Sequence, residues 1–514
     1  MTSVELDRLL VGPPFAGLDA EFAALLERMA GGSLPELRLA AALVSRKRSE
    51  GQVCLDLATS SGVSVENEAG VTVTAPSLEK WQTSLGEAPE VVGGPGELKP
   101  LVMEGHRLYW RRYWDYEQRL ATALQTRVQA TPEAVGVSQL REGLKRLFPN
   151  GGSDELDWQQ VAAFLVVRHR LTVILGGPGT GKTRTVARAL ALLFALLGPT
   201  LRVAVAAPTG KAAARLQATI RRAKSELGAD VPALASLSDE VKTVHRLLRV
   251  NPVTGRPHFD VTNPLPLDVL VVDEASMVDL ALMTKLVSAL PASARLVLLG
   301  DKDQLAAVEA GSVLGDLAAG RESNRYSTAL SAEFAETTGI ALPVMDAGAS
   351  PLADCFVELR ANHRFGTDSG IYRASRCVNN GDAAEALGVL RPRTASARPG
   401  AGTEGSEGEA VWQELPGRTE LRRALREKVL SRFGLMCRAN DPSAALLAME
   451  TFRILAAVRS GPFGVEGLNL LIVDVLREAG LVAGGPWYSG RQLLVTAIEQ
   501  SRVGVIGRHQ QLAS

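Results

Sequence analysis

Along the chain, apolar positions recur every three or four residues over Leu18–Met29 and Leu34–Val44, which predicts two amphipathic helices. A poorly periodic stretch rich in Gly, Ser and Glu then runs to about Lys99. Leu108–Leu124 (LYWRRYWDYEQRLATAL) predicts an aromatic-rich helix, and a break containing Pro, Gly and Ser follows at Phe148–Ser153. From Leu171 the period changes. Short β-type runs (LTVIL, VAVAAP, VLVV, RLVLL) alternate with helical ones, the pattern of a parallel sheet with crossover helices. Ala318–Ala353 reads as irregular and Arg391–Ala410 as a low-complexity loop or linker, with helical periodicity returning from about Thr419 to Ser460. No internal repeat interrupts this order. The predicted divisions are residues 1–150, 151–354 and 355–514, with the low-complexity loop at 391–410.

Composition narrows the class. The 514 residues are 46% hydrophobic and 22% charged, with 56 basic and 56 acidic side chains, so a wholly disordered chain is excluded. Zero net charge is a cancellation: residues 1–100 carry 8 Lys and Arg against 14 Asp and Glu, whereas 171–250 carry 12 against 4. The longest uncharged apolar run, Ala189–Leu201, is broken by Gly198-Pro199 and falls short of a membrane span. The acidic start MTSVELDRLL has no secretory pattern. Four widely spaced cysteines (Cys54, Cys355, Cys377, Cys437) suggest neither a zinc site nor a disulfide framework. A reduced, cytoplasmic protein without a membrane partner is expected.

Three segments carry chemistry. GGPGTGKT (Gly176, Gly177, Pro178, Gly179, Thr180, Gly181, Lys182, Thr183) follows a strand at Leu171–Leu175 and opens a helix at Thr183–Leu197. Glycines let backbone N–H groups converge on phosphate oxygens, and the helix N-terminus adds partial positive charge. Lys182 would reach the β- and γ-phosphates of ATP, and the Thr183 hydroxyl would bind Mg²⁺. In Leu267–Asp279 (LDVLVVDEASMVD), four apolar β-formers end in two carboxylates: Asp273 to hold the hydrated metal and Glu274 to polarise an attacking water. The run Arg295–Leu299 leads into GDKDQL (300–305), where Gln304 would sit near the γ-phosphate, or where Asp301 would simply cap a turn.

The ordered set GGPGTGKT, AAPTGKAAARL, TVHRLL, VVDEASMVD, GDKDQL and NHRF resembles the superfamily 1 DNA helicases, and most of all the RecD family, the alpha subunits of exodeoxyribonuclease V. GQVCLDL (51–57), RLYWRRYWDYE (107–117), DWQQVAAF (157–164), RFGTDSGI (364–371), FRILAAVRSGPFGVEGLN (452–469) and WYSGR (487–491) extend the resemblance over most of the chain. It implies an α/β fold: a RecA-like P-loop motor domain with a parallel sheet, a mainly helical N-terminal partner-docking domain before it, and a second RecA-like lobe after it. It also implies ATP hydrolysis driving 5′-to-3′ movement on DNA in double-strand-break repair and recombination. Its partners would be single-stranded and duplex-end DNA and RecB-like and RecC-like subunits in a heterotrimer. Residue by residue, Gln159 matches the adenine-contacting glutamine, Lys182 and Thr183 the phosphate and Mg²⁺ contacts, Asp273 the metal ligand and Glu274 the water activator. Gln304 matches the γ-phosphate sensor and Arg364 of NHRF the arginine that stabilises the transferred phosphoryl group. Thr209, Lys211, Thr243 and His245 match DNA backbone contacts.

Two groups of residues keep more than one reading. Arg215, Arg221, Arg222 and Lys224 are either part of that DNA surface or the solvated face of a helix. Tyr109, Trp110, Tyr113, Trp114 and Tyr116 form either a base-stacking platform or, at helical spacing, a packed helix or partner interface. The resemblance also has a gap. No histidine is followed by lysine, so a T-x-H-K-x-Q-G segment is missing, and Glu499-Gln500 stand where a T-R-A-R segment would place Thr-Arg. An incomplete second lobe is therefore expected. That leaves as alternatives a non-translocating ATP-binding structural or regulatory subunit, or a truncated inactive helicase. A nucleotide kinase, the remaining class, would need a nucleoside-binding lid.

Overall fold

A computed structural model describes residues 2–491 except 132–133, 150–155, 228–230, 306, 308, 321–323, 346–349, 362–365, 367–368, 392–409, 411, 440, 484, 486 and 489–490. The described residues form two compact units, one within residues 1–383 and another within residues 384–491.

The described residues form twelve strands. Six belong to the N-terminal part: β1 (Cys54–Asp56), β2 (Ser64–Glu66), β3 (Thr72–Thr74), β4 (Val92–Gly93), β5 (Leu101–Glu104) and β6 (Arg107–Trp110). Helices at Ser3–Leu9, Gly17–Met29, Pro35–Ser49 and Leu78–Gly86 dominate this part, as expected. To them the structure adds a small sheet in the order β1-β6-β5-β4 and a β2-β3 pair. β1 to β4 lie in the stretch without periodicity because two or three residues are too few to show alternation, and β6 takes Leu108–Trp110 from the start of the expected helix, which begins at Arg111. The apolar members of these six strands, Leu55, Val73, Leu101 and Leu108, join Leu26, Leu39 and Trp81 in one core.

The other six strands form the motor sheet: β7 (Leu171–Gly176), β8 (Val203–Ala207), β9 (Lys242–Thr243), β10 (Val269–Val272), β11 (Arg295–Gly300) and β12 (Phe356–Leu359). All pair in parallel, in the order β12-β7-β11-β10-β8-β9. Successive residues point to opposite faces and both faces are covered, so β7, β10 and β11 are buried throughout. Ile174, Val269, Val271, Val297 and Leu299 enter one core with the helices Trp158–Arg168 and Lys182–Leu197. Val173, Leu175, Leu270, Val272, Leu296 and Leu298 enter the other with the helix Leu280–Ala289.

Two divisions read from the sequence shift. The helix Arg111–Gln129 buries Tyr113, Leu120 and Leu124 in the second motor core, and the helix Val137–Leu147 buries Leu140, Leu144 and Leu147 in the first. The break near residue 150 therefore does not separate two cores. At the other end, β12 lies beyond the division drawn at 354/355 yet completes the motor sheet beside β7, and the compact unit continues to residue 383. The expected irregular stretch 318–353 contains a helix, Thr328–Thr338, capped by Ser327 and ended by Gly339 at φ +85°. Among its described residues the second unit is helical, with Val429, Phe433, Met436, Val475 and Leu476 in a small core.

One side chain ties the Arg111–Gln129 helix to the motor. Arg127 is 2% exposed, and its guanidinium donates to the carbonyls of Leu290 (2.7 Å), Pro291 (3.1 Å) and Ala123 (2.9 Å). Burial lowers its pKa to about 10, so it stays charged at neutral pH. The Leu290 and Pro291 carbonyls end the helix Leu280–Ala289, where a cation is also favoured by the helix dipole. Arg127→Ala is expected to lower stability by about 2–4 kcal/mol, because it orphans buried carbonyls and leaves a cavity. Urea unfolding measures this, and a midpoint equal to that of the unaltered protein would refute the tie.

Candidate nucleotide and DNA site

The phosphate loop springs from the C-terminal end of β7. Gly176 is fixed by contact: a Cβ there would stand 2.6 Å from Thr180 Oγ1 and 3.0 Å from the Leu359 carbonyl on β12. Gly179 and Gly181 have φ of +88° and +84°, which side chains rarely adopt, so the loop can turn its amides inward only with glycine there. Thr180 Oγ1 donates to Gly177 O (2.9 Å) and Thr185 Oγ1 to Gly181 O (3.0 Å), bracing the loop against its helix. Lys182 donates to the carbonyls of Gly176 and Gly177, which holds its ammonium over the loop.

Because β11 lies between β7 and β10, the three chemical segments emerge side by side. Thr183 Oγ1 is 3.3 Å from Asp273 Oδ2, so the hydroxyl and carboxylate assigned to one metal from sequence do converge. Asp273 also accepts from the Glu274 amide (2.9 Å), and its own amide donates to Ala206 O on β8 (2.9 Å). Among the described residues Glu274 is one of three non-glycine residues at positive φ, +53°. Strain of this kind concentrates where a side chain must be aimed. After β11, Asp301 is buried, Gln304 is half-buried, and Lys302 pairs with Glu358 of β12 at 3.0 Å. Arg364 lies outside the described residues.

Burial sets the electrostatics. It pushes the Asp273 carboxyl up, against the opposing pull of the Glu274 amide and Lys182, and pushes Glu274 up with help from the neighbouring Asp273 charge. It pushes the Lys182 ammonium down, although Asp301, Glu274 and Asp273 favour its charge. Each group is less comfortable ionised than in water, which suits a site that receives Mg²⁺ and a polyphosphate. The donor set, two oxygens and a lysine on a glycine loop, fits that cargo.

Beside the loop lies a cavity of about 410 Å³ lined by Trp158, Gln159, Thr180, Gly181, Arg184 and Arg360, among others. Asp157 caps the Trp158–Arg168 helix by accepting from the Gln159 amide (2.9 Å), and Gln159 Nε2 donates to Thr180 O (3.4 Å). The sequence pointed to Gln159 but gave no role to its neighbour Trp158 in DWQQVAAF, and it missed Arg184 and Arg360, which stand outside any motif it used.

The four DNA candidates occupy the other half of the same sheet edge. Thr209 follows β8 and accepts from the Ala212 amide (3.2 Å); Thr243 ends β9 and accepts from the Arg246 amide (3.3 Å). Lys211 and His245 are exposed in the first turns of the helices so capped. Arg222 pairs with Glu226 (2.8 Å), and Lys224 and Arg221 with Asp239 (2.8 and 3.8 Å), consistent with a solvated helix face. Arg215 differs, because its charge is felt by Lys182, Asp273 and Glu274. The aromatic cluster is packed in part: Tyr109 and Tyr113 are buried, whereas Trp110, Trp114 and Tyr116 are half-buried. Phe22, Trp110, Tyr113 and Tyr116 form a chain of ring contacts at 4.4, 6.4 and 6.3 Å, and Tyr113 is buried.

Comparison with known proteins agrees with this geometry. The N-terminal domain family of RecBCD enzyme subunit RecD matches residues 15–109, and an AAA domain family matches 159–310. The chain is 33% identical to RecBCD enzyme subunit RecD of Haemophilus influenzae over 439 residues, covering 82% of this chain and 67% of that protein. It is 37% identical to the RecD subunit of Mycobacterium tuberculosis over 488 residues, covering 93% and 74%. The ATP-dependent RecD2 DNA helicase of Deinococcus radiodurans is 39% identical over 212 residues, covering 41% of this chain and 26% of that one.

The raised Asp273 carboxyl carries a sign that can be measured. A carboxyl whose pKa is higher folded than unfolded costs stability while ionised, and the cost disappears as pH falls through the folded value. Asp273→Asn is therefore expected to raise the thermal midpoint of the nucleotide-free protein at pH 7.5 by about 2–4 °C. The gain should shrink as pH is lowered toward the ordinary carboxylate range. Calorimetry that found a lower midpoint for the variant would contradict the burial argument.

Proposed function

This chain belongs to the RecD family, and we propose that it works as the ATP-driven DNA helicase subunit of an exodeoxyribonuclease V complex, moving 5′ to 3′ on single-stranded DNA. The observation that carries the reading is the meeting of Thr183 and Asp273 at 3.3 Å beside the half-buried Lys182 of the glycine loop. These groups stand at the C-terminal ends of β7 and β10, where open parallel sheets place their ligands.

Lys182 would neutralise charge on the β- and γ-phosphates of bound ATP, and the glycine loop would fix the phosphates by its amides. Thr183 and Asp273 would hold Mg²⁺, which when bound shields the phosphate oxygens. Glu274 would accept a proton from the attacking water, and its raised pKa makes the carboxylate a stronger base. Gln304 would register the γ-phosphate, and Arg364 would stabilise charge on the transferred group. Thr209, Lys211, Thr243 and His245 would contact the DNA backbone.

RecB-like and RecC-like subunits are the partners proposed on family grounds, with the N-terminal domain as docking element and repair of double-strand breaks as the process. Among the described residues no helix is long and apolar enough to cross a membrane. The cytoplasm is the proposed location. Residues 384–514 are proposed as part of a second motor lobe, on the RecD-like segments 452–469 and 487–491 they contain.

In the complex reconstituted with both partners, Lys182→Ala should lower single-strand-stimulated ATP hydrolysis by about 10²–10³-fold. Glu274→Gln should lose hydrolysis comparably yet still bind nucleotide. ATP turnover that ignores single-stranded DNA in the unaltered complex would overturn the helicase reading.

A further inference from the structure

Arg360 stands where the sheet, the phosphate loop and the cavity meet. Leu359 pairs in register with Gly176, so the chain leaves β12 directly beside the first glycine of the loop. The Leu359 carbonyl stands where only a hydrogen fits on Gly176, which keeps this segment and the loop in fixed relation. Arg360 is therefore carried by an ordered strand end. It is exposed and lines the cavity together with Gln159, Thr180 and Gly181.

Among the described residues Arg360 makes no hydrogen bond or ion pair. The nearest acid on its strand, Glu358, is engaged by Lys302 at 3.0 Å. The other two arginines of the cavity are placed differently. Arg188 lies over the Phe148 ring at 5.5 Å, and Arg184 and Arg188 share the field of Glu226. A guanidinium with all its donors open, beside a glycine loop that collects phosphates, matches paired oxygen acceptors in geometry and charge.

The cavity also says which part of a nucleotide it would meet. Its walls include Gln159, Thr180 and Gly181 but not Thr183, Asp273 or Gln304, the groups placed at the γ-phosphate and metal. At about 410 Å³ it is of the size that holds a small organic ligand. It is therefore the nucleoside end of the site. We propose that Arg360 is a nucleotide-contacting residue, donating to ribose and α-phosphate oxygens of a bound purine nucleoside triphosphate from the first motor lobe's own edge strand.

This inference rests on reading GGPGTGKT as the nucleotide site, and the test separates the two. Isothermal titration calorimetry of the full chain with ATP and with ADP, Mg²⁺ present, compares Arg360→Ala, Arg360→Lys and Lys182→Ala. Arg360→Ala should weaken ATP and ADP by the same factor, about tenfold, because its contacts do not involve the γ-phosphate. Arg360→Lys should recover part of the loss. The thermal midpoint should not move, since the side chain is exposed. Binding of both nucleotides within twofold of the unaltered protein, with Lys182→Ala clearly weakened, overturns the role of Arg360 alone. A loss confined to ATP overturns it too, by placing the residue at the γ-phosphate. Unchanged binding in Lys182→Ala overturns the reading of the loop itself.

Discussion

The double burial of the central parallel strands is the constraint on which the rest of this molecule depends. A strand covered on both faces has no water for its backbone, so each amide and carbonyl must find its partner in the neighbouring strand. In β7, β11 and β10 that requirement fixes register: Ile174 opposite Leu299, and Val272 opposite Leu298. Once register is fixed, the strand ends are fixed as well, and the chemistry begins at those ends. β7 stops at Gly176, β11 at Gly300 and β10 at Val272, one residue before Asp273. The phosphate loop, the Gln304 turn and the carboxylate pair thus share one edge without any contact designed to hold them together.

That arrangement concentrates charge where water is scarce. Lys182, Asp273, Glu274 and Asp301 act on one another at short range, and burial makes ionisation harder for Lys182, Asp273 and Glu274. Glu274 adds a left-handed backbone. None of this helps the sheet fold. It is tolerated because the two cores behind the edge supply the stability that the edge consumes, the usual relation between a strained site and its scaffold. A polyphosphate with its metal would reverse the balance, adding negative charge beside the lysine and positive charge between Thr183 and Asp273. Nucleotide binding and local stability are therefore expected to be strongly linked in this unit.

How much could be read in the sequence follows from the same physics. Where burial on both faces imposes a continuous apolar run of four or more residues, as in β7, β10 and β11, strands and their terminal chemistry were legible to within a residue or two. Glycines required by backbone shape marked the loop. The short strands β1 to β6 were hidden because two to four residues carry no period. The helix Thr328–Thr338 was hidden by a weak apolar stripe: Phe334 packs on Phe164 at 5.0 Å, but its neighbours are small or polar. Its caps, Ser327 and Gly339, were the readable signals. Division near residue 150 failed for another reason. Arg111–Gln129 reads as an amphipathic helix either way, and nothing in its pattern says which core receives Leu120 and Leu124. Arg360 was missed because a lone arginine has no pattern; only the register of β12 against β7 places it at the site.

The sheet order also bears on how two ligands could influence one another. The nucleotide residues sit on β7, β11 and β10, while the residues proposed to meet DNA follow β8 and β9. The boundary between them is one hydrogen bond wide: the Asp273 amide donates to Ala206 O, three residues before Thr209. Beyond it the Gly210–Leu227 helix carries Lys211 in its first turn and Arg215 one turn further on, the spacing that puts both on one face. Arg215 is felt by Lys182, Asp273 and Glu274, so the helix whose start would touch DNA also contributes to the field at the phosphate loop. A shift of that helix would change both at once, without a relay through the cores. Energetic coupling needs an element that both ligands bias, and this helix has the position for it.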